Sequence, residues 1–267
     1  MKPASTTDRE FRQPRPEGQP PRRESARVNR LQSIFEHHSE RRVHKLSHYF
    51  EIYDRHFSRY CEKSPTVLEI GVSQGGSLEI WQEYFGPGVK IFGVDINPEC
   101  AQFASDDVTI FIGDQADRDF LLDIADRIPP LDILIDDGGH TAEQQKATFE
   151  VLFDKVKADG IYLVEDLITS YWREYGGGYR RPGSFVEYSK NFIDFLHAWD
   201  ARPMSPLQVN DITRSVFGLH YYNSMLVVEK RAMKPPDHVR RGADVFKMEV
   251  PLLTRILVKL RLKPAVY

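Results

Sequence analysis

The chain has 267 residues, 41% of them apolar, enough for one large α/β domain or for one domain with an appendage. A formal charge of −3 argues against nucleic acid as the main partner, and two cysteines, Cys61 and Cys100, supply neither a disulfide framework nor a metal-type spacing. No apolar run approaches the roughly 20 residues of a spanning helix and the opening residues lack the hydrophobic stretch of a secretory leader, so a reducing, cytoplasmic location is expected.

Residues 1–27 are rich in Pro, Arg, Glu, Ser and Gln and nearly empty of large apolar side chains, the composition of a disordered arm. From 28 to 60 the pattern turns helical. Tyr49, Ile52, Tyr53, Phe57 and Tyr60 fit one helix face, expected to pack on the sheet edge as a cap; a lid or substrate wall built from the Tyr and His side chains is the alternative.

The span 61–230 carries the chemistry. A strand over 66–70 (TVLEI) runs into Gly71-Val-Ser-Gln-Gly-Gly76 and then a helix from Ser77 to about Phe85. Three chemistries use a strand, a glycine turn and a helix start. Gly71-Val72-Ser73-Gln74-Gly75 matches the G-x-S-x-G elbow of serine hydrolases, with Asp and His available downstream. An elbow serine needs several strands and an oxyanion-hole loop before it, and nothing upstream of Ser64 reads as a strand. A dinucleotide fingerprint wants glycine where Ser73 stands, so that match is partial.

The third chemistry is an S-adenosylmethionine (SAM) site, in which Glu69 and the open turn of Gly71, Ser73 and Gly75 receive the methionine part. The next strand, 90–95, ends in Asp95, about 20 residues past the glycines, where a ribose hydroxyl pair is held. The third strand, from 108, ends in Asp114-Gln115, suited to an adenine edge. Any one of these acids alone reads as a helix N-cap or a solvated turn. Three successive strands ending in Glu69, Asp95 and Asp114 favour SAM.

Residues 131–140 (LDILIDDGGH) and 161–166 (IYLVED) are short apolar runs that end abruptly in acid. Strand C-terminal ends line the ligand crevice of an open parallel sheet. If the two strands are neighbours, Asp136, Asp137, Glu165 and Asp166 share one small volume with His140 beside them. Carboxylates that close raise one another's pKa unless a cation or proton sits between them. Two readings stand: a metal site of hard oxygen ligands, or two unrelated strand-end loops. Asp136, counted among the cofactor-binding residues, can also bond the strand-end backbone or support the cluster.

A helix is expected over 142–157, stopping near Gly160. After it, Tyr171, Trp172, Tyr175 and Tyr179 beside Gly176–Gly178 describe a mobile aromatic loop whose ring faces suit a sugar acceptor. An amphipathic helix over 185–199 precedes a closing antiparallel hairpin over 215–230, with its turn near Tyr222-Asn223 and a structural His220. The extension 231–267 carries nine Lys or Arg against three acids. Its apolar and basic end, 251–263, packs on the domain or a partner subunit, or lies on an anionic membrane surface.

Taken together, the residues 71–76, Asp95, Gly113-Asp-Gln115, Ile135-Asp-Asp-Gly-Gly-His140 and Val164-Glu-Asp166 resemble the metal-dependent sugar O-methyltransferases of antibiotic pathways. These methylate deoxysugars on macrolides of the mycinamicin and tylosin type, and rhamnose on tetracenomycin-like polyketides. The resemblance spans roughly 47–230. It implies an α/β class I methyltransferase fold, a Rossmann-like, mostly parallel seven-stranded sheet with a C-terminal antiparallel hairpin and helices on both faces. It also implies a Mg²⁺ ion held by Asp137, Glu165 and Asp166, with His140 as general base. Such an all-carboxylate set favours Mg²⁺, with Mn²⁺ as a substitute, over zinc. A metal-bound hydroxyl loses its proton more easily, and a histidine near neutrality can take it. The implied reaction moves a methyl group from SAM to a sugar hydroxyl of a natural product, polysaccharide or glycolipid. The expected partners are a small-molecule or saccharide acceptor, a second copy of the chain, a membrane surface against the basic end, and no nucleic acid. The rivals are a serine hydrolase using Ser73 and a catalytically inactive SAM-fold partner protein.

Overall fold

The computed structural model of the chain describes residues 29–202, 204–243 and 245. The expected disordered arm at 1–27 and the apolar, basic end at 251–263 lie outside the described residues.

Seven strands form one sheet: β1 (Thr66–Ile70), β2 (Lys90–Asp95), β3 (Val108–Ile112), β4 (Leu131–Asp136), β5 (Val156–Val164), β6 (Val216–Tyr222) and β7 (Met225–Lys230), in the order β3-β2-β1-β4-β5-β7-β6. The first five strands pair in parallel, and β7 runs antiparallel to both β5 and β6. Strands covered on both faces are largely apolar, which is why Val67 and Leu68 of β1 and Ile133 to Ile135 of β4 are consecutive apolar residues.

Alternate residues feed two cores. Ile133 and Ile135 of β4 pack with Tyr53 and Trp81 on one face, and Leu134 packs with Phe149 and Phe192 on the other. Helices α1 (Arg30–His37), α2 (Tyr49–Phe57) and α3 (Gly76–Phe85) build the first face. Helices α4 (Arg118–Arg127), α5 (Ala142–Leu152) and α6 (Phe185–Leu196) build the second, and a single turn of helix, α7 (Asp211–Ser215), leads into β6.

The expected helical cap over 28–60 is two helices that share a core with the sheet. The connection between them, 38–48, crosses the first turn of α3 so closely that a Cβ on Gly76 would lie 2.4 Å from the Arg41 carbonyl oxygen. Other boundaries differ from the sequence reading, and β3 stops at Ile112, before the Asp114-Gln115 expected to end it. Helix α5 ends at Leu152, and β5 starts at Val156, so Gly160 lies inside a strand and is no helix stop. The pairing of β4 with β5 jumps from Leu131↔Val156 to Ile133↔Ile161, and the polar Lys157-Ala-Asp-Gly segment bulges between these pairs. A strand containing four such residues has no strand-like pattern to detect. Helix α6 stops at Leu196, and a separate 3-10 turn covers Ala198–Asp200. Among the described residues no helix is long and apolar enough to cross a membrane.

The chain crosses from β1 toward β2 on one side and later returns to β4 on the other. The C-terminal ends of β1 and β4 therefore flank the crevice where open α/β sheets bind ligands.

Candidate active site

Gly71 follows β1 with φ of +96°, and a Cβ there would lie 2.0 Å from the Asp137 carbonyl oxygen. Only glycine allows this contact, which joins the turn after β1 to the end of β4. Asp137 N–H completes it by donating to the Ile70 carbonyl at 2.9 Å. At the end of β2, Asp95 Oδ2 accepts from the Val72 and Ser73 backbone N–H groups at 2.9 and 2.8 Å, and Oδ1 accepts from Asn97 N–H at 2.8 Å.

Two adjoining cavities open at these strand ends. The smaller, about 220 Å³, is lined by Gly71, Ser73, Asp95, Asp114, Gln115 and Gly139 among others. The larger, about 480 Å³, is lined by residues including Lys45, Ser73, Ser77, Asp137, His140 and Asp166. Gly71, Ser73, Asp137 and Gly138 border both.

Two residues expected to touch the cofactor turn inward instead, and a third, Gln115, borders the smaller cavity with its amide engaged by the protein. Glu69 and Asp136 are fully buried and line neither cavity. Glu69 accepts from Ser77 Oγ at 2.8 Å and from Trp81 Nε1 at 3.2 Å, so it braces the turn from below. Gln115 donates to Asp136 at 2.6 Å and Thr148 at 2.9 Å, and its oxygen accepts from Gly139 N–H at 3.0 Å. Its amide group is thus spent within the protein. Burial pushes Glu69 up to about 7 and Asp136 up to about 6.

The acids of β4 and β5 do meet. Glu165 N–H donates to the Asp136 carbonyl at 2.9 Å, which sets Asp137 beside Glu165. Between them lies the Lys45 ammonium, donating to Asp137 Oδ2 and to both oxygens of Glu165, each of the latter at 3.0 Å. Burial alone would lower the Lys45 pKa, but the charges of Asp137, Glu165 and Glu69 outweigh it and hold the group above its ordinary value. Burial, then the Asp137 charge, raises Glu165 well above the usual carboxylate range. Helix α2 supplies two more donors. Tyr53 Oη donates to Glu165 Oε1 at 2.5 Å, and Tyr49 Oη donates to Asp166 Oδ1 at 2.8 Å.

His140 Nε2 lies 3.4 Å from Asp166 Oδ2 and 3.8 Å from Asp137 Oδ1, and its buried Nδ1 has no hydrogen-bond partner among the described residues. Ser73, His140 and Asp166 all have positive φ, at 51°, 58° and 52°. A non-glycine residue in that region carries strain, and here three such residues face one crevice.

The carboxylates of Asp137 and Asp166 suit a hard divalent cation. Together with His140 each offers an atom within 4.8 Å of the others, whereas Glu165, expected as the third ligand, is outside that group and is held by Lys45 and Tyr53. Lys45, Tyr49 and Tyr53 were not among the residues expected at the site. The spacing of the two tyrosines was visible, but it reads as packing; Lys45 has no local signature.

The aromatic loop is folded back on itself. Gly177 N–H donates to the Trp172 carbonyl at 2.8 Å and Gly178 N–H to that of Ser170 at 2.9 Å, so the expected mobile loop is a pair of tied 3-10 turns. Thr169 Oγ1, donating to the His140 carbonyl at 3.0 Å, anchors it to the site. Tyr171, Trp172 and Tyr179 are exposed and Tyr175 is half-buried; none of the four borders the two cavities. Among the described residues, Ser73 Oγ makes no hydrogen bond to a histidine, as a hydrolase nucleophile would require.

No family model matches the chain. A solved structure of the MycE methyltransferase from the mycinamicin biosynthetic pathway, in complex with Mg and S-adenosylhomocysteine (SAH), superposes with a TM-score of 0.65 at 34% identity, over 71% of this chain and 51% of MycE. The chain has the class I methyltransferase fold. This methyltransferase-fold chain is 37% identical over 194 residues to the 8-demethyl-8-alpha-L-rhamnosyl tetracenomycin-C 2′-O-methyltransferase of Streptomyces olivaceus, covering 69% of this chain and 50% of that enzyme. It is 35% identical over 188 residues to the mycinamicin VI 2″-O-methyltransferase of Micromonospora griseorubida, covering 67% and 47%. Its curated homologues are thus sugar O-methyltransferases of antibiotic pathways, as the motifs implied, and the chain spans about half the length of these relatives.

Proposed function

We propose that the chain is a Mg²⁺- and SAM-dependent O-methyltransferase whose acceptor is a sugar hydroxyl of a natural-product glycoside, polysaccharide or glycolipid. The observation that carries this reading is the convergence of Asp137, His140 and Asp166 on the wall of the larger cavity, with Glu165 buried behind Lys45 beside them. It is supported by relatives named for rhamnosyl tetracenomycin and mycinamicin VI, and by the Mg and SAH in MycE.

Asp137, Glu165 and Asp166 would hold the magnesium, which when bound supplies the positive charge that lowers the pKa of a hydroxyl. The turn of Gly71, Ser73 and Gly75 receives the methionine end of the donor, with Glu69 bracing it from beneath. Asp95 Oδ1 accepts a single backbone N–H and so keeps acceptor capacity for ribose hydroxyls, and Asp114 lies at the far side of the same cavity. His140 Nε2, on the wall of the larger cavity and 3.4 Å from Asp166 Oδ2, takes the acceptor proton. The tied loop with Tyr171, Trp172, Tyr175 and Tyr179 presents ring faces to the sugar beyond the cavity mouth.

The test is transfer of labelled methyl from SAM to a panel of rhamnosides and deoxysugar glycosides. Transfer is expected with Mg²⁺ and lost with EDTA, with Asp137→Ala and with His140→Ala, while SAH still binds both variants. Retained turnover in the two variants would remove the roles assigned to Asp137 and His140.

A further inference from the structure

Helix α2 carries a second titratable cluster on the side facing the closing hairpin. His56 is 4% exposed; its Nδ1 lies 3.3 Å from Glu229 Oε1, and its Nε2 lies 2.9 Å from the Tyr222 hydroxyl. His220 Nε2 lies 3.7 Å from the same Glu229 oxygen. The two imidazole centroids are 4.8 Å apart, and one atom from each of His56, His220 and Glu229 falls within 4.8 Å of the others. Hydrogen bonding accounts for His56 but not for His220. At 3.7 Å the His220 nitrogen is out of range of Glu229, and among the described residues this buried atom has no hydrogen-bond partner.

The spacing fits a metal. An ion holding nitrogen and oxygen tetrahedrally at about 2.0–2.1 Å separates its ligands by about 3.3 Å, close to the 3.3 and 3.7 Å found between the donors here. Two imidazoles and one carboxylate suit zinc, whereas the oxygen-only set near Asp137 suits magnesium. The remaining nitrogen of His56 meets the Tyr222 oxygen, the kind of outer partner that orients a ligating histidine.

We propose that His56, His220 and Glu229 form a second metal site, for a zinc-type divalent cation, that pins α2 to the β6–β7 hairpin. A fourth position is left for water. Because Tyr49 and Tyr53 of α2 hold Asp166 and Glu165, this ion also braces the wall of the acidic site from its far side.

The site is tested by titrating Zn²⁺ calorimetrically into the full chain with Mg²⁺ in excess, alongside Co²⁺ absorption and thermal unfolding. One Zn²⁺ per chain is expected, raising the unfolding midpoint, and Co²⁺ should give the strong visible bands of tetrahedral coordination. His220→Ala and Glu229→Gln, both at partly exposed positions, should abolish the bands and the thermal shift. Tyr222→Phe should weaken Zn²⁺ about 10-fold by loosening His56. Asp137→Ala should keep all three signals. Absence of saturable Zn²⁺ binding, equal affinity in His220→Ala and Glu229→Gln, or loss of binding in Asp137→Ala would each overturn the proposal.

Discussion

The Tyr53 hydroxyl and Glu165 Oε1 lie 2.5 Å apart, two fully buried side chains joined across 112 residues of chain. This bond makes α2 part of the site, because Glu165 has few other donors inside the protein. Tyr53→Phe keeps the ring between Phe57 and Trp81 and removes only the donor. Leaving the buried Glu165 oxygen short of a partner is expected to cost about 1–3 kcal/mol of stability and to weaken Mg²⁺ about 10-fold. Urea unfolding and Mg²⁺ calorimetry measure the two effects, and no change in either would detach α2 from the site.

Lys45 pairs with Asp137 and Glu165, the same oxygens proposed to hold the magnesium. Lys45→Met should destabilise the metal-free chain by about 3–5 kcal/mol, because it strands buried negative charge. Added Mg²⁺ should then raise the unfolding midpoint more in the variant than in the wild type. An equal Mg²⁺ shift in the two proteins would show that the ammonium and the ion do not share a place.

Ser73 sits at φ of 51°, a conformation costing a non-glycine residue about 1–2 kcal/mol, part of which glycine returns as chain entropy. Ser73→Gly should raise stability by up to about 1 kcal/mol and leave SAH affinity within a few-fold of the wild type. Loss of every detectable activity with SAH binding intact would revive the hydrolase reading of the same turn.

Burial pushes the Glu69 carboxyl from 4.5 up to about 7, against the pull of Lys45. Because its folded pKa is the higher one, the folded chain holds this proton more tightly. The resulting stabilisation is fully present below 4.5 and lost as pH rises through about 7. In metal-free and cofactor-free protein, the midpoint of Glu69→Gln should therefore fall less than that of the wild type across this window. Identical slopes in thermal melts would mean that Glu69 is ionised throughout.

Strands β1, β2 and β4 could be read closely because each is a short, mostly apolar run closed by an acid or a glycine, while β3 stops at Ile112, short of the Asp114 expected to end it. The pairing of Asp137 with Glu165 followed from the same runs, since strand ends of a parallel sheet converge. What escaped has a physical pattern too. Lys157-Ala-Asp-Gly is polar and bulged, so the first half of β5 carried no strand signal. Glu69 and Asp136 have the residue types of cofactor contacts, yet their environment, and not their chemistry, turns them into supports. Lys45 is a lone cation in a polar connection, and only the tertiary fold brings it 92 residues along the chain to Asp137.

The most direct measurement is calorimetric titration of Mg²⁺ into the SAH complexes of the wild type and of Asp137→Ala. One Mg²⁺ should bind per wild-type chain and none in the variant, with SAH affinity preserved in both. Undiminished Mg²⁺ binding by Asp137→Ala would contradict an ion held at the joined ends of β4 and β5.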